Sequence, residues 1–320
     1  MSHIILPLYM IPLASSIDQC TAPHRKPATT ATISSGMANG YLFREYIGAQ
    51  VTGVQMSDVP INALLSFHFI LAFAIDYTPI NQNPTPTPTN GVFTPFWDTA
   101  ALTPAAVAAI KQAHQNVAVM AALGGDSVQD RVNVFFAASS VDAWVANAVS
   151  SVTEIINEYD LDGVDVDYEH FSSDEDTFVE CVGQLLTELK RRMPRIITSI
   201  APFEDDTVQR YYTALWKKYS GVIDYVNFQF YGYGDNTDVT TYVTFYDNQT
   251  ANYPGGKVLA SLMTNQTTGL LTPDQGVSAA KELQRQNKLP GFFIWCADNS
   301  EKSSYRFKYE TLAQEIVANH

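Results

Sequence analysis

Between Leu161 and Phe171 the chain reads Leu-Asp-Gly-Val-Asp-Val-Asp-Tyr-Glu-His-Phe, with acids at Asp165, Asp167 and Glu169 and apolar or aromatic residues between them. A strand turns successive side chains to opposite faces, so the three carboxyls share one side while Val164, Val166 and Tyr168 take the other. If both faces are covered, as in a parallel sheet, carboxyls roughly 7 Å apart repel in a poorly screened setting, and at least one holds its proton near neutrality. A protonated carboxyl beside an ionised one is a general acid with a partner. The same cluster fits two other readings, a structural polar network or an oxygen cage for a divalent metal. Valine spacers argue against a calcium loop, which needs a turn with polar spacers and a later glutamate. The expectation is a site without metal or cofactor, with magnesium as the alternative.

Such a strand needs neighbours, and the flanking sequence supplies them in alternation. Strands are expected at Leu42 to Gly48, Ser66 to Ile75, Val117 to Leu123 running into Gly124-Gly125, Ile196 to Ala201, Ile223 to Tyr231, Lys257 to Met263 and Gly291 to Ala297. Helices are expected after Thr103-Pro104, after Ser140, after a capping box of Ser173 and Asp176, and near residues 204–219, 240–252, 273–287 and 304–318. With the acidic strand this makes eight strands interleaved with helices, which predicts an α/β fold, a single-domain (β/α)8 TIM barrel over residues 41–320. The competing doubly wound sheet lacks its G-x-G-x-x-G turn. A barrel of this kind does its chemistry at the C-terminal strand ends, where Glu169 falls, together with Tyr46, Asp76, Asp126, Tyr231 and Trp295.

Composition narrows the partners. The 320 residues are 46% hydrophobic and carry a formal net charge of −14, which argues against a nucleic-acid partner. Cys20, Cys181 and Cys296 are too few and too scattered for a disulfide framework or a zinc site, so free thiols are expected. Ile4 to Leu13 followed by Ala14-Ser15-Ser16 has the look of a signal segment, and residues 21–40 read as a disordered leader. No stretch is long and apolar enough to span a membrane, and a monomer is expected. The address is secreted or vacuolar if the leader directs export, with Asn248 and Asn265 as glycosylation acceptors; otherwise it is cytosolic.

Asp162-Gly-Val-Asp165-Val-Asp167-Tyr-Glu169 matches D-G-x-D-x-D-x-E, and on this motif the chain resembles glycoside hydrolase family 18, the chitinases. Phe43-Arg-Glu-Tyr-Ile-Gly48, Asn227-Phe-Gln-Phe-Tyr231 and Gly291-Phe-Phe-Ile-Trp295 are similar to the plant chitinases of the tulip-bulb type. The resemblance implies retaining hydrolysis of β-1,4 bonds in chitin or N-acetylglucosamine oligosaccharides, with the substrate's own acetamido group as nucleophile. It also implies that Glu169 is the general acid, that Asp167 holds the acetamido group and stabilises the oxazolinium intermediate, and that Asp165 supports Asp167. Tyr231 would bond the acetamido carbonyl and Trp295 would lie beneath the sugar. Tyr46, Gln229 and Asp126 complete the substrate-binding set.

Two positions depart from the family pattern. Ala122-Leu-Gly-Gly125 stands where S-x-G-G is common, removing a hydroxyl that a water could replace, and Gly232 follows Tyr231 where Asp or Asn is common. The chain also resembles narbonin, concanavalin B and a Rubisco-associated protein, plant barrels regarded as storage or binding proteins. A catalytically weak or silent carbohydrate-binding protein is therefore the alternative, against which the intact acids argue.

Overall fold

The computed structural model describes residues 39–319 apart from 129–130, 235 and 266–268. Eight parallel strands form the frame: β1 (Leu42–Ile47), β2 (Ser66–Ile75), β3 (Val117–Gly125), β4 (Gly163–Tyr168), β5 (Ile197–Ile200), β6 (Tyr225–Asn227), β7 (Val258–Met263) and β8 (Gly291–Trp295). Each pairs with the next, and β8 returns to β1 with Leu42 opposite Gly291, so the barrel closes and leaves none of the eight as an unpaired edge. The helices α1 (Pro104–Ala113), α2 (Val141–Tyr159), α3 (Glu175–Arg192), α4 (Asp206–Tyr219), α5 (Val239–Asn252) and α6 (Pro273–Arg285) follow β2 to β7 in turn. After β8 the chain forms α7 (Ala297–Lys302) and α8 (Lys308–Ala318), while β1 is followed only by a 3-10 turn at Met56–Asp58.

Strand alternation divides the apolar residues between two cores. Val164, Val166 and Tyr168 pack outward beneath the helices with Trp144, Phe178 and Leu185, whereas Tyr46, Ile70, Met120, Ala122 and Phe293 fill the barrel interior. Helix starts are capped as short polar side chains dictate. Thr103 and Ser140 accept from the amides of Ala106 and Ala143, and Thr272 forms a reciprocal capping box with Gln275.

The structure corrects the sequence reading at several boundaries. The cap of α3 is Asp174, which accepts from Thr177, rather than Ser173. The amides of Ser172 and Ser173 bond the Phe136 carbonyl, and Ser173 Oγ accepts from Ala138, so Ser173 belongs to the loop. The sixth strand stops at Asn227 because Ser261 Oγ donates to the Phe228 carbonyl and accepts from the Phe230 amide, and the Gln229 amide turns to Pro202. A side chain thus replaces the ladder partner there, and Phe230–Gly232 curls into a 3-10 turn. The eighth strand ends at Trp295, a short helix not expected from sequence follows at Ala297–Lys302, and the last helix starts at Lys308 rather than at 304. Among the described residues Cys181 and Cys296 are free and buried, and Asn248 is exposed on α5. The signal segment, the leader, Cys20 and residues 266–267 of the second glycosylation motif lie outside the described residues.

Candidate active site

The site is built in layers up the barrel interior. At its base Arg44, on β1, is completely enclosed. Its Nη1 donates to Asn227 Oδ1 at 2.7 Å and Ser199 Oγ at 2.9 Å, its Nε donates to His68 Nδ1 at 3.3 Å, and its guanidinium lies 5.0 Å from the centre of the Tyr225 ring. Burial and the guanidinium hold His68 well below its ordinary range, so the ring is neutral. Arg44 is therefore the cation that faces the acids above it.

Asp165 forms the next layer. Its Oδ2 accepts from Tyr46 Oη at 2.7 Å, and its Oδ1 accepts from Ser199 Oγ at 2.5 Å and Asn227 Nδ2 at 3.0 Å. Burial raises this carboxyl, while Arg44 and the three hydrogen bonds pull it back toward the ionised form. Both oxygens are committed to the scaffold, and Asp165 opposite Ala122 in the β3–β4 register receives from Ser199 the hydroxyl that Ala122 lacks. Neither Ser199 nor Arg44 stood out in the sequence. No alternation marked them, since each has a polar neighbour in its strand, Glu45 beside Arg44 and Thr198 beside Ser199.

Asp167 and Glu169 sit higher. Gln229 Nε2 donates to Asp167 Oδ1 at 3.0 Å and to the Ala201 carbonyl at 2.9 Å, and reaches Glu169 Oε1 at 3.4 Å. Tyr231 Oη donates to Gln229 Oε1 at 3.0 Å. Gln229 is thus a largely buried hub that aligns the two acids, although it also lines the cleft. Burial, with the charges of Glu169, Asp165 and Asp126, pushes Asp167 well above the carboxylate range. Burial and the Asp126 charge raise Glu169 to about 7, against the hydrogen bond from Gln229. Glu169, raised to about 7, still carries a proton in a large share of molecules near neutrality and, just past the end of β4, stands where that proton can be delivered.

These groups open into a cleft of about 680 Å³ whose lining includes Asp167, Glu169, Gln229, Tyr231, Trp295 and Asp126. Trp295 packs 5.5 Å from the Tyr46 ring and stacks on Phe73 at 5.8 Å, giving the cleft an aromatic floor. Asp126 is paired with His170, Nε2 to Oδ1 at 2.8 Å, on the acid's flank. Of the strand-end residues named from sequence, Tyr46 lies buried beneath the cleft with its hydroxyl on Asp165 rather than in the lining, and Asp76 is removed from the site. Its carboxylate accepts from Tyr168 Oη at 2.6 Å, Trp144 Nε1 at 3.3 Å and the Gly91 amide at 3.1 Å. A register shift between Leu71 and Ala74 reverses the alternation of β2 and sends Ala74 into the outer core, so Asp76 is spent on holding α2 and the Gly91 loop. Among the described residues no three His, Cys, Asp or Glu side chains converge as the ligands of a metal would.

The chain is 53% identical over 284 residues to Chitinase 1 of Tulipa saxatilis subsp. bakeri, covering 88% of this chain and 89% of that one. The catalytic domain of a family GH18 chitinase from the fern Peteris ryukyuensis superposes with a TM-score of 0.81 at 51% identity, over 87% of this chain and all of that one. The RuBisCO-associated protein of Glycine max is 32% identical over 169 residues, 52% of this chain and 57% of that one. The family description "Glycosyl hydrolases family 18" matches residues 53–283. By that match, and by the likeness to the tulip protein along most of its length, the chain belongs to the glycosyl hydrolases of family 18.

Proposed function

We propose that this chain is a chitinase that hydrolyses β-1,4 bonds between N-acetylglucosamine units with retention, assisted by the substrate's acetamido group. The observation that carries the reading is the unequal treatment of the three acids. Asp165 has both oxygens bound to the scaffold, Asp167 carries no hydrogen bond on Oδ2 among the described residues, and Glu169 keeps its proton up to about pH 7. In this reading Glu169 gives its proton to the glycosidic oxygen as the bond to C1 breaks, and the acetamido carbonyl oxygen closes on C1. Asp167 accepts from the acetamido N–H and stabilises the cationic ring, Tyr231 bonds the carbonyl side, and Trp295 lies under the distorted sugar. Water then opens the ring, with the Glu169 carboxylate recovering a proton from it. A protein nucleophile would need a carboxylate across the sugar, roughly 5 Å from the acid. Asp167 follows the same strand as Glu169 and shares its Gln229 donor, which suits it to the acetamido group instead. We infer export to the cell exterior or vacuole from the apolar run Ile4 to Leu13 and the small residues after it, and action as a monomer.

The alternative, a weak or silent carbohydrate-binding protein, draws on the partial likeness to the RuBisCO-associated protein. One experiment separates the readings: NMR of the first products from chitin tetramer. The chitinase reading expects shorter oligomers appearing first as the β-anomer, with cellohexaose left intact. An α-anomer first, or brisk cleavage of cellohexaose, would sink the substrate-assisted mechanism, and intact tetramer bound without products would favour the silent protein.

A further inference from the structure

Two polar residues of the cleft lining take no part in the chemistry above: Gln50, just past β1, and Lys302, the last residue of α7 after β8. Strands β1 and β8 pair directly, so both residues belong to one wall. In the closed ring β8 lies opposite β4, which carries Asp167 and leads to Glu169, so Lys302 stands across the cleft from the acids. Both side chains are exposed, and the lysine is held in place. The Gln50 loop is anchored by Asp298, buried on α7, which accepts from the amides of Gly48 at 2.7 Å and Gln50 at 3.3 Å and from Thr52 Oγ1 at 3.0 Å. Gln50 Nε2 donates to Asn299 Oδ1 at 2.5 Å, which leaves its Oε1 to accept from Lys302 Nζ at 3.2 Å. The carboxylates nearest in sequence are committed elsewhere, Asp298 to that loop and Glu301 to Arg306 at 2.8 Å. Lys302 is the one cation in the lining among the described residues, and it forms no ion pair there.

An ammonium has three donors and no acceptor. It can donate to a sugar hydroxyl or to the carbonyl of an acetamido group. A protonated glucosamine amine gives it no lone pair to meet and repels it as a like charge. We propose that Lys302, held by Gln50, is a specificity-determining residue that excludes deacetylated units of the polymer from the β8–β1 side of the cleft and so selects acetylated units there. The inference rests on the chitinase reading for the class of polymer. It concerns selection by charge in binding, separate from the part the acetamido group takes in the reaction.

The test is titration calorimetry at about pH 5, where glucosamine amines are protonated, with chitin tetramer and with its fully deacetylated counterpart. A Glu169→Gln background prevents cleavage, and thermal unfolding confirms that each variant is folded. The quantity read is the ratio of the two affinities. Lys302→Gln, which keeps a donor without the charge, should shift that ratio toward the deacetylated tetramer by roughly 3- to 10-fold, and Lys302→Glu by roughly 10- to 100-fold, as expected for one and two charge units beside a solvated amine. Added salt should shrink both shifts. Lys217→Gln removes the same charge from an exposed position on α4, outside the cleft lining, and should move the ratio by less than about twofold. An unchanged ratio in folded Lys302→Gln overturns the proposal and leaves the chitinase reading standing, as does an equal shift in Lys217→Gln, because net charge alone would then be at work. A Glu169→Gln protein that binds neither tetramer refutes the sugar-binding reading itself, and the proposal with it.

Discussion

Replacing Glu169 by Gln should abolish turnover and at the same time make the folded protein more stable at alkaline pH. Glu169 is raised from 4.5 to about 7 by burial and the Asp126 charge. A carboxyl whose folded pKa is raised binds more protons folded than unfolded, so its contribution to stability falls as pH rises through this interval. The cost is nearly absent below pH 4.5, develops between 4.5 and 7, and is complete above 7. A shift of this size corresponds to roughly 3 kcal/mol at pH 8 and roughly 1 kcal/mol at pH 5. Because Glu169 keeps part of its surface in the cleft, these are upper values. Gln removes the titration while keeping the shape and the acceptor for Gln229. It also removes the repulsion that an ionised Glu169 exerts on Asp167, so the two effects have the same sign. Urea unfolding of both proteins at pH 5 and pH 8 isolates the contribution as a difference of differences, in which titrations elsewhere cancel. We expect the gain to be larger at pH 8 by about 2 kcal/mol. In the parent protein the same titration should lower kcat/KM above about pH 7, where the acid has lost its proton. A gain equal at the two pH values, or an activity limb unrelated to pH 7, would refute the assignment of a raised, proton-bearing Glu169.

Ala122→Ser should leave kcat within roughly twofold of the parent on chitin tetramer, because Asp165 already accepts three hydrogen bonds and a fourth donor adds little; a gain of several-fold would mean that Asp165 is poorly held. Arg44→Met should cost roughly 3–5 kcal/mol in urea unfolding at neutral pH, since it leaves Asp165 in the barrel without its counter-charge. A loss below about 1 kcal/mol would show that the three hydrogen bonds alone compensate the buried charge.

Much of the framework was legible in the chain because it rests on period and local chemistry. Valines between acids announce a strand with one carboxylic face, and Thr103-Pro104 and Ser140 announce helix starts that the structure keeps. Eight strands alternating with helices point to a barrel whatever the packing details. The order of the acids along β4, and hence which of them lies deep and which near the mouth, also follows from sequence, because rise along a strand is regular. Other features arise only where separate strands meet. Ser199 supplies the hydroxyl missing at Ala122 because β3 and β5 both flank β4, and no local pattern tells which neighbour will provide it. Asp76 left the site through a register shift in β2, and the sixth strand ended early because Ser261 of β7 captured its backbone. Glu204 and Gly232, far apart in sequence, share one side-chain volume, which only the tertiary structure reveals. The sequence by itself determined which chemistry the strand carries. The folded barrel decided which acid is tied down and which are raised, because desolvation and hydrogen bonding depend on what closes around each carboxyl.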